Sequence, residues 1–246
     1  MSAKAGSKKK WNVDSLRKLA QQIKSRPLRT KVLSMINEPP EFDFGLEDGY
    51  TPLADSPASK RLHHSYPGGL IEHTVSVTRL GLSLCDILED VYRAKPDRDV
   101  VIASLILHDL FKFYTYGVSP RGRYFTSRIG EHIDHLSLVS SEIYKRKFPV
   151  EIIHAVLASH GEHGPMRPRT LEALIVHLAD QADADLNGQI LDAARYIISV
   201  SVDSYMQEEA LREIDPFEIV RARQKGGYDS VRKLVETRLK VKEKKE

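Results

Sequence analysis

His73, the adjacent pair His108-Asp109 and Asp180 stand inside stretches that otherwise read as apolar helix: GGLIEHT at 68–74, ILHDLFK at 106–112 and VHLADQADAD at 176–185. IGEHIDH at 129–135 and ASHGEHG at 158–164 place further histidines in or beside apolar runs. A buried ionisable side chain is costly unless it is paired, hydrogen-bonded or coordinated to metal, so each placement asks for a partner. His108-Asp109 is the sharpest case. Neighbours on a helix point about 100° apart and reach one point only if it lies off the helix beside them; a cation there satisfies both. Neutral imidazole with carboxylate suits Mn, Fe, Ni, Zn or Mg, and without thiolate it points to octahedral sites that keep bound water. Asp109, as a carboxylate able to bridge two cations, is the candidate shared ligand. Cys85, alone in 246 residues, excludes an internal disulfide and any multi-cysteine zinc or iron–sulfur centre.

The elements that must position these groups are helical. Val13, Leu16, Ala20 and Ile23 recur at spacings of three and four, which predicts a short amphipathic helix ended by Pro27. Met1 to Lys10 reads as disordered, and the prolines and glycines of 37–60 as an irregular connector. Leu70 through Val91 mark one face of a long helix, and Val100 to Phe111 a central buried one. A hairpin or turn insertion is expected near 114–125 around Ser119-Pro120-Arg121-Gly122. Helices follow over about 131–146, 150–160 and 170–206, the last broken near Asn187-Gly188, and Asp215-Pro216 opens another. With no alternating strand pattern, the fold class is all-α. The expected segments are a basic arm at 1–31, a connector at 32–60, the main domain at 61–214 and a basic helix or tail at 215–246.

Ten basic residues against one acidic over 1–31, and ten against four over 221–246, leave 17 against 29 in 32–220: an acidic body between basic ends. Basic ends are the footprint of a polyanion partner, single-stranded RNA or DNA, because Lys and Arg displace counterions condensed on phosphates; solubility is the plainer alternative. No run approaches the roughly 18 apolar residues that a membrane helix needs, and the lysine-rich start has no signal core, so the expected location is cytoplasmic.

The order His73, His108-Asp109, Asp180 resembles the HD-domain metal-dependent phosphohydrolases, an all-helical superfamily. HHSYPGGLIEHT (63–74), ILHDLFK, the GEH of 130–132, ASHGE (158–162) and RPRTLEALIVHLADQADADLN (167–187) are similar to the HD domain of YhaM-type 3′-to-5′ exoribonucleases, over roughly residues 50–190. The resemblance implies a metal shell of His73, His108, Asp109 and Asp180. His132 and His160 match the added ligands of two-metal subgroups, with Asp109 as the bridge. It implies divalent cofactors, two ions with Mn²⁺ foremost and Fe, Ni, Mg or Zn as alternatives. Asp109 and Lys112 would be catalytic, Lys112 facing the phosphate from one turn beyond Asp109. The implied activity is hydrolysis of single-stranded RNA or DNA from the 3′ end; the alternatives are a small cyclic or linear nucleotide in the same pocket, or an RNA- or ribosome-associated protein with a structural metal.

Three features depart from that pattern. Phe111 stands where many relatives have glycine, which would narrow the pocket. Gly161 follows His160 where the exonucleases show a second histidine, and His163 is the candidate replacement. The oligonucleotide-binding barrel of the YhaM-type enzymes has as its counterpart here only the short basic segment, which weakens the carry-over of polymer specificity but not of the chemistry. His63 and His64 either cap a helix entrance or touch substrate. Arg167 and Arg169, with Arg121, Arg123 and Arg128, clamp phosphate or balance the acidic body. His154 and His177 fit satisfied core histidines, His135 a residue that orients a ligand, and Asp183 and Asp185 solvent-facing or capping groups, with a place near the metals as the lesser alternative for Asp183.

Overall fold

The computed structural model describes residues 11–42, 50–119 and 122–243. α1 (Val13–Ala20) opens on Asn12, whose side chain accepts from the Ser15 amide while the Ser15 hydroxyl accepts from the Asn12 amide. Pro27 does not end this helix. It lies in the first turn of α2 (Arg26–Asn37), where a missing N–H leaves no hydrogen bond unmade. Leu16, Ala20, Ile23, Val32, Met35 and Ile36 are buried in the main core. From Trp11 onward, therefore, the expected basic arm is packed structure, and the irregular connector begins only after Asn37. Residues 1–10, 43–49 and 120–121, with the disorder, connector and turn expected there and the role considered for Arg121, lie outside the described residues.

α3 (Gly69–Tyr92) starts after Gly68, which sits at φ 81°. A Cβ on Gly69 would stand 2.1 Å from the His64 carbonyl oxygen, so only glycine lets the preceding loop close on the helix start. α4 (Arg98–Leu107) is capped by Asp97, which accepts from the Asp99 and Val100 amides, and every residue from Val100 to Leu107 is buried. A turn at 108–111 leads to α5 (Lys112–Thr115) and an antiparallel hairpin, β1 (Tyr116–Val118) with β2 (Tyr124–Thr126), Tyr116 opposite Thr126. α6 (Arg128–His132), α7 (His135–Lys145), α8 (Val150–Leu157), a single 3₁₀ turn (Gly161–His163) and α9 (Leu171–Ser201) follow.

The all-α class holds: the hairpin is the only sheet among the described residues. α4 is the central post, packed on α1, α2, α3 and α8. A second apolar cluster, including Val77, Val101, Leu105, Ala155, Ile175, Val176 and Ala179, ties α3, α4 and α8 to the first turns of α9.

The chain forms two compact units that divide inside α9, between Ala184 and Asp185, rather than at the expected 214/215 boundary. α9 runs unbroken through Asn187-Gly188. One glycine costs a helix interior about 1 kcal/mol, too little to interrupt a helix whose next turns bury Leu191, Ala194 and Ile198. In the second unit the end of α9, α10 (Ser204–Glu213) and α11 (Pro216–Glu243) bury Ala194, Ile198, Ala210, Ile219, Val231 and Val235 together. Asp215 opens α11 as expected, accepting from the Phe217 amide at 2.7 Å, and the helix is kinked at Gly226-Gly227. Among the described residues no helix is long and apolar enough to cross a membrane.

Candidate metal centre

Four side chains expected to converge do so. His73 projects from the first turns of α3, His108 from the end of α4, Asp109 from the turn after it and Asp180 from the first third of α9. His73 Nε2 lies 3.3 Å from Asp109 Oδ2 and 3.1 Å from Asp180 Oδ1. His108 Nε2 lies 3.5 Å from each of the same two oxygens. His108, the C-cap of α4, keeps helical backbone angles and its amide donates to the Ser104 carbonyl; the turn at 108–111 then tightens and places Asp109 beside it. All four residues are buried, His73, His108 and Asp109 completely.

A second group uses the other oxygen of Asp109. His135 Nε2 lies 3.2 Å and His160 Nε2 3.8 Å from Asp109 Oδ1, and the two rings stand 5.3 Å apart. One ligand atom from each residue of the inner four falls within a 4.8 Å span, as does one from each of Asp109, His135 and His160. Asp109 therefore stands between two sets of donors, with one oxygen toward each.

The chemistry of these atoms fits divalent cations. The Nε2 atoms of His73, His108 and His135 and Oδ1 of Asp109 are buried and make no hydrogen bond, an arrangement that is costly without a further ligand; Asp109 Oδ2 has the Lys112 ammonium at 2.6 Å. The outer nitrogens are spoken for. His108 Nδ1 donates to the Leu105 carbonyl at 2.9 Å, and His73 Nδ1 lies 2.7 Å from Asp183 Oδ2, so both Nε2 atoms keep lone pairs for a cation.

The electrostatics agree. Burial pushes the Asp109 carboxyl up, but Lys112 and His108 outweigh it and hold it well below the usual carboxylate range. Burial likewise opposes charge on His73, yet the carboxylates of Asp109, Asp180 and Asp183 packed around its ring carry it well above the usual histidine range: without a cation, a proton is favoured in this place. His135 goes the other way, lowered by burial more than Asp109 raises it. Lys112 is buried with Nζ 2.6 Å from Asp109 Oδ2; burial would discharge it, and Asp109 more than compensates. His63 is half-buried with its ring 5.0 Å from that of His73, and burial, then His73 and Lys112, depress it to about 3. His64 is buried at φ 44°, with Nδ1 3.3 Å from that of His63.

Other expectations are corrected. His132 ends α6 exposed, its Nδ1 2.7 Å from the Arg128 carbonyl, and His135 occupies the place expected for it. The reason is the break between α6 and α7: Ile133 is extended and Asp134 caps a new helix, so the phase resets and the later histidine faces Asp109. His163, Arg167 and Arg169 are exposed, with Arg167 paired to Glu162 at 3.2 Å and the Arg169 amide donating to His154 Nε2. None of the three belongs to a converging donor group.

Phe111 does not narrow the site. Its ring is wholly buried in the main core, edge-on to Phe42, Phe113 and Tyr114. Gly161 sits at φ 55°, and a Cβ there would lie 2.4 Å from the His177 ring, which fills the space a second histidine would need. Asp183, read from sequence first as solvent-facing or capping and only second as near the metals, is buried against His73. The signal was available: it follows Asp180 by one helical turn and shares its face.

Comparison with known proteins agrees with this geometry. The HD domain model matches residues 70–185. A dihydroneopterin 2′,3′-cyclic phosphate phosphodiesterase of Methanocaldococcus jannaschii is 38% identical over 218 residues, covering 87% of this chain and 85% of the relative. The YhaM 3′-5′ exoribonucleases of Shouchella clausii and Listeria monocytogenes are 32% and 35% identical over 144 residues, 54% of this chain; the chain spans 43% and 44% of their lengths. No solved structure matches. A histidine–aspartate nest that could hold a divalent cation, in a chain matched by the HD domain model and alike to a cyclic phosphate phosphodiesterase along most of its length, places this protein in the HD-domain family of metal-dependent phosphohydrolases.

Proposed function

We propose that this protein hydrolyses a small cyclic phosphodiester, the class represented by the 2′,3′-cyclic phosphate of its archaeal relative. The expectation of a 3′-to-5′ exonuclease thus yields to the small-nucleotide alternative. The observation that carries the reading is the reach of the likeness: 87% of this chain aligns with the cyclic phosphate phosphodiesterase, against 54% with the exoribonucleases.

In this reading His73, His108, Asp109 and Asp180 hold one divalent ion and Asp109, His135 and His160 a second, with Mn²⁺ first among the candidates suited to nitrogen and carboxylate donors. Bound there, the cations supply Lewis acidity that polarises the phosphoryl oxygens and makes water nucleophilic at neutral pH. Lys112, kept charged by Asp109, adds fixed positive charge where negative charge grows on the phosphate. His63, at the half-buried edge beside His73, flanks the phosphate, while buried His64 shapes the loop that carries His63. Water adds across one P–O ester bond, giving a phosphomonoester and a free hydroxyl.

The test is product analysis with Mn²⁺, Mg²⁺, Fe²⁺ or Ni²⁺ on 2′,3′-cyclic nucleotides and cyclic phosphates of pterin-type compounds, set against a 3′-labelled oligonucleotide. Monoester products from the cyclic compounds and an intact oligonucleotide are expected. Stepwise shortening of the oligonucleotide without turnover of any cyclic phosphate would overturn the reading.

A further inference from the structure

We infer that Asp183 is a positioning residue: it fixes the imidazole of His73 with Nδ1 as the hydrogen-bond donor and Nε2 as the cation ligand. The inference rests on the metal reading of the centre and goes beyond it, because Asp183 belongs to neither donor set between which Asp109 stands.

A histidine can bind a cation through either nitrogen, and the partner of the other nitrogen decides which. Asp183 Oδ2 lies 2.7 Å from His73 Nδ1, with both side chains almost wholly out of solvent. An ionised carboxylate can only accept, so Nδ1 must carry the proton. Nε2, on the far side of the ring, points at Asp109 Oδ2 and Asp180 Oδ1 and makes no hydrogen bond. His108 reaches the same result by other means, since its Nδ1 donates to the neutral carbonyl of Leu105. A charged acceptor makes the stronger bond and a more electron-rich ring, so His73 is the better donor of the two.

The placement of Asp183 ties three segments together. It lies three residues after Asp180 on α9, so one helix face supplies both a cation ligand and the group that aims another. The same Oδ2 is 3.6 Å from Nε2 of His64, in the loop closed on Gly69. Asp183 is thus where the loop before α3, α3 itself and α9 meet behind the cation-facing atoms.

Zn²⁺ affinity, measured by chelator competition, and ¹⁵N-resolved imidazole spectra of the Zn²⁺-loaded protein test the assignment. In wild type the His73 Nδ1 proton should appear far downfield, as expected for a short bond to a carboxylate. Asp183→Asn should weaken Zn²⁺ binding by about 10- to 100-fold and move that proton upfield. Asp183→Ala should abolish the resonance, and the metal-free variants should melt within a few degrees of wild type. If folded variants bind Zn²⁺ as tightly as wild type, Asp183 has no positioning role. If neither variant folds, the wild-type spectrum decides, and an unprotonated Nδ1 on His73 overturns the assignment. A wild-type protein that takes up no divalent cation sinks the metal reading and this inference together, an outcome distinct from variants that match a metal-binding parent.

Discussion

The two halves of the centre are built differently. Its inner half, His73, His108 and Asp180, hangs on α3, α4 and α9, which two apolar clusters lock together, and these side chains are at most 11% exposed. Its outer half, His135 and His160, sits at the first residue of α7 and just before the 3₁₀ turn, with side chains 16% and 26% exposed. His73 and Asp180, within long packed helices, inherit their direction from the helix phase, which neighbouring turns fix many times over, and His108 follows directly on the wholly buried last turns of α4. A ligand at an element's end takes its direction from a break in the chain, and one residue's backbone angles decide it. The inner half is therefore the rigid part, and the outer half is where variation in affinity and reach should concentrate.

Removing the one residue both halves share should have the largest effect. Asp109→Ala takes an oxygen from each set and leaves Lys112 without its counter-charge, so cation binding and hydrolysis should fall together, activity by about a thousandfold or more. Elemental analysis and turnover on the same preparation check this; an active, metal-loaded variant would remove Asp109 from the centre. Next in size is a contrast within the outer half. His135→Ala should lower turnover about 10- to 100-fold and reduce the bound cation, whereas His132→Ala should stay within about twofold of wild type, its side chain being exposed. Equal losses from the two would mean that His132 also reaches the centre.

That contrast matches what the sequence does and does not disclose. His73, His108, Asp109 and Asp180 are legible because each is an ionisable group in an apolar run, and burial forces such groups to find one another. The long helices and the hairpin are legible from periodicity and turn residues. His135 could not be separated from His132, because the two are one turn apart on paper and only the extended backbone of Ile133 sets them on different faces. Pro27 was ambiguous for a related reason: proline both ends helices and opens them, and the Ser25 cap decides it. Phe111 was misread as narrowing the pocket because its ring partner Phe42 is remote in sequence, as is the His177 ring that crowds Gly161.

The halves should also differ with pH. Without a cation, His73 holds a proton well above the usual histidine range, so at neutral pH a cation entering the inner site must displace it. Inner-site affinity should therefore weaken by about tenfold for each unit that pH falls below neutral, the limit for one displaced proton. His135 is shifted downward, so at neutral pH it is already unprotonated and cation binding there releases no proton from it. Between neutrality and mildly acidic pH the outer site should hold its affinity better than the inner one. Calorimetric titration with Mn²⁺ at several pH values, in buffers of different ionisation enthalpy, counts the protons. One released proton at the inner step and none from His135 at the outer step is the expected result; equal release at both steps would erase the distinction.

The smallest effect should come from the turn beside His160, and it separates backbone strain from crowding. At φ 55°, an alanine at position 161 enters the left-handed region at a cost of about 1–2 kcal/mol. Its Cβ would also approach to 2.4 Å of a His177 ring that is hydrogen-bonded to the Ser159 carbonyl, and overpacking of this kind adds about 1–3 kcal/mol. Gly161→Ala should therefore destabilise the metal-free protein by the two costs together, as read by urea denaturation. In a His177→Ala background the collision is gone and only the backbone cost of about 1–2 kcal/mol remains. If alanine at 161 costs the same in both backgrounds, the imidazole of His177 yields freely, and glycine is required there by its backbone angles alone.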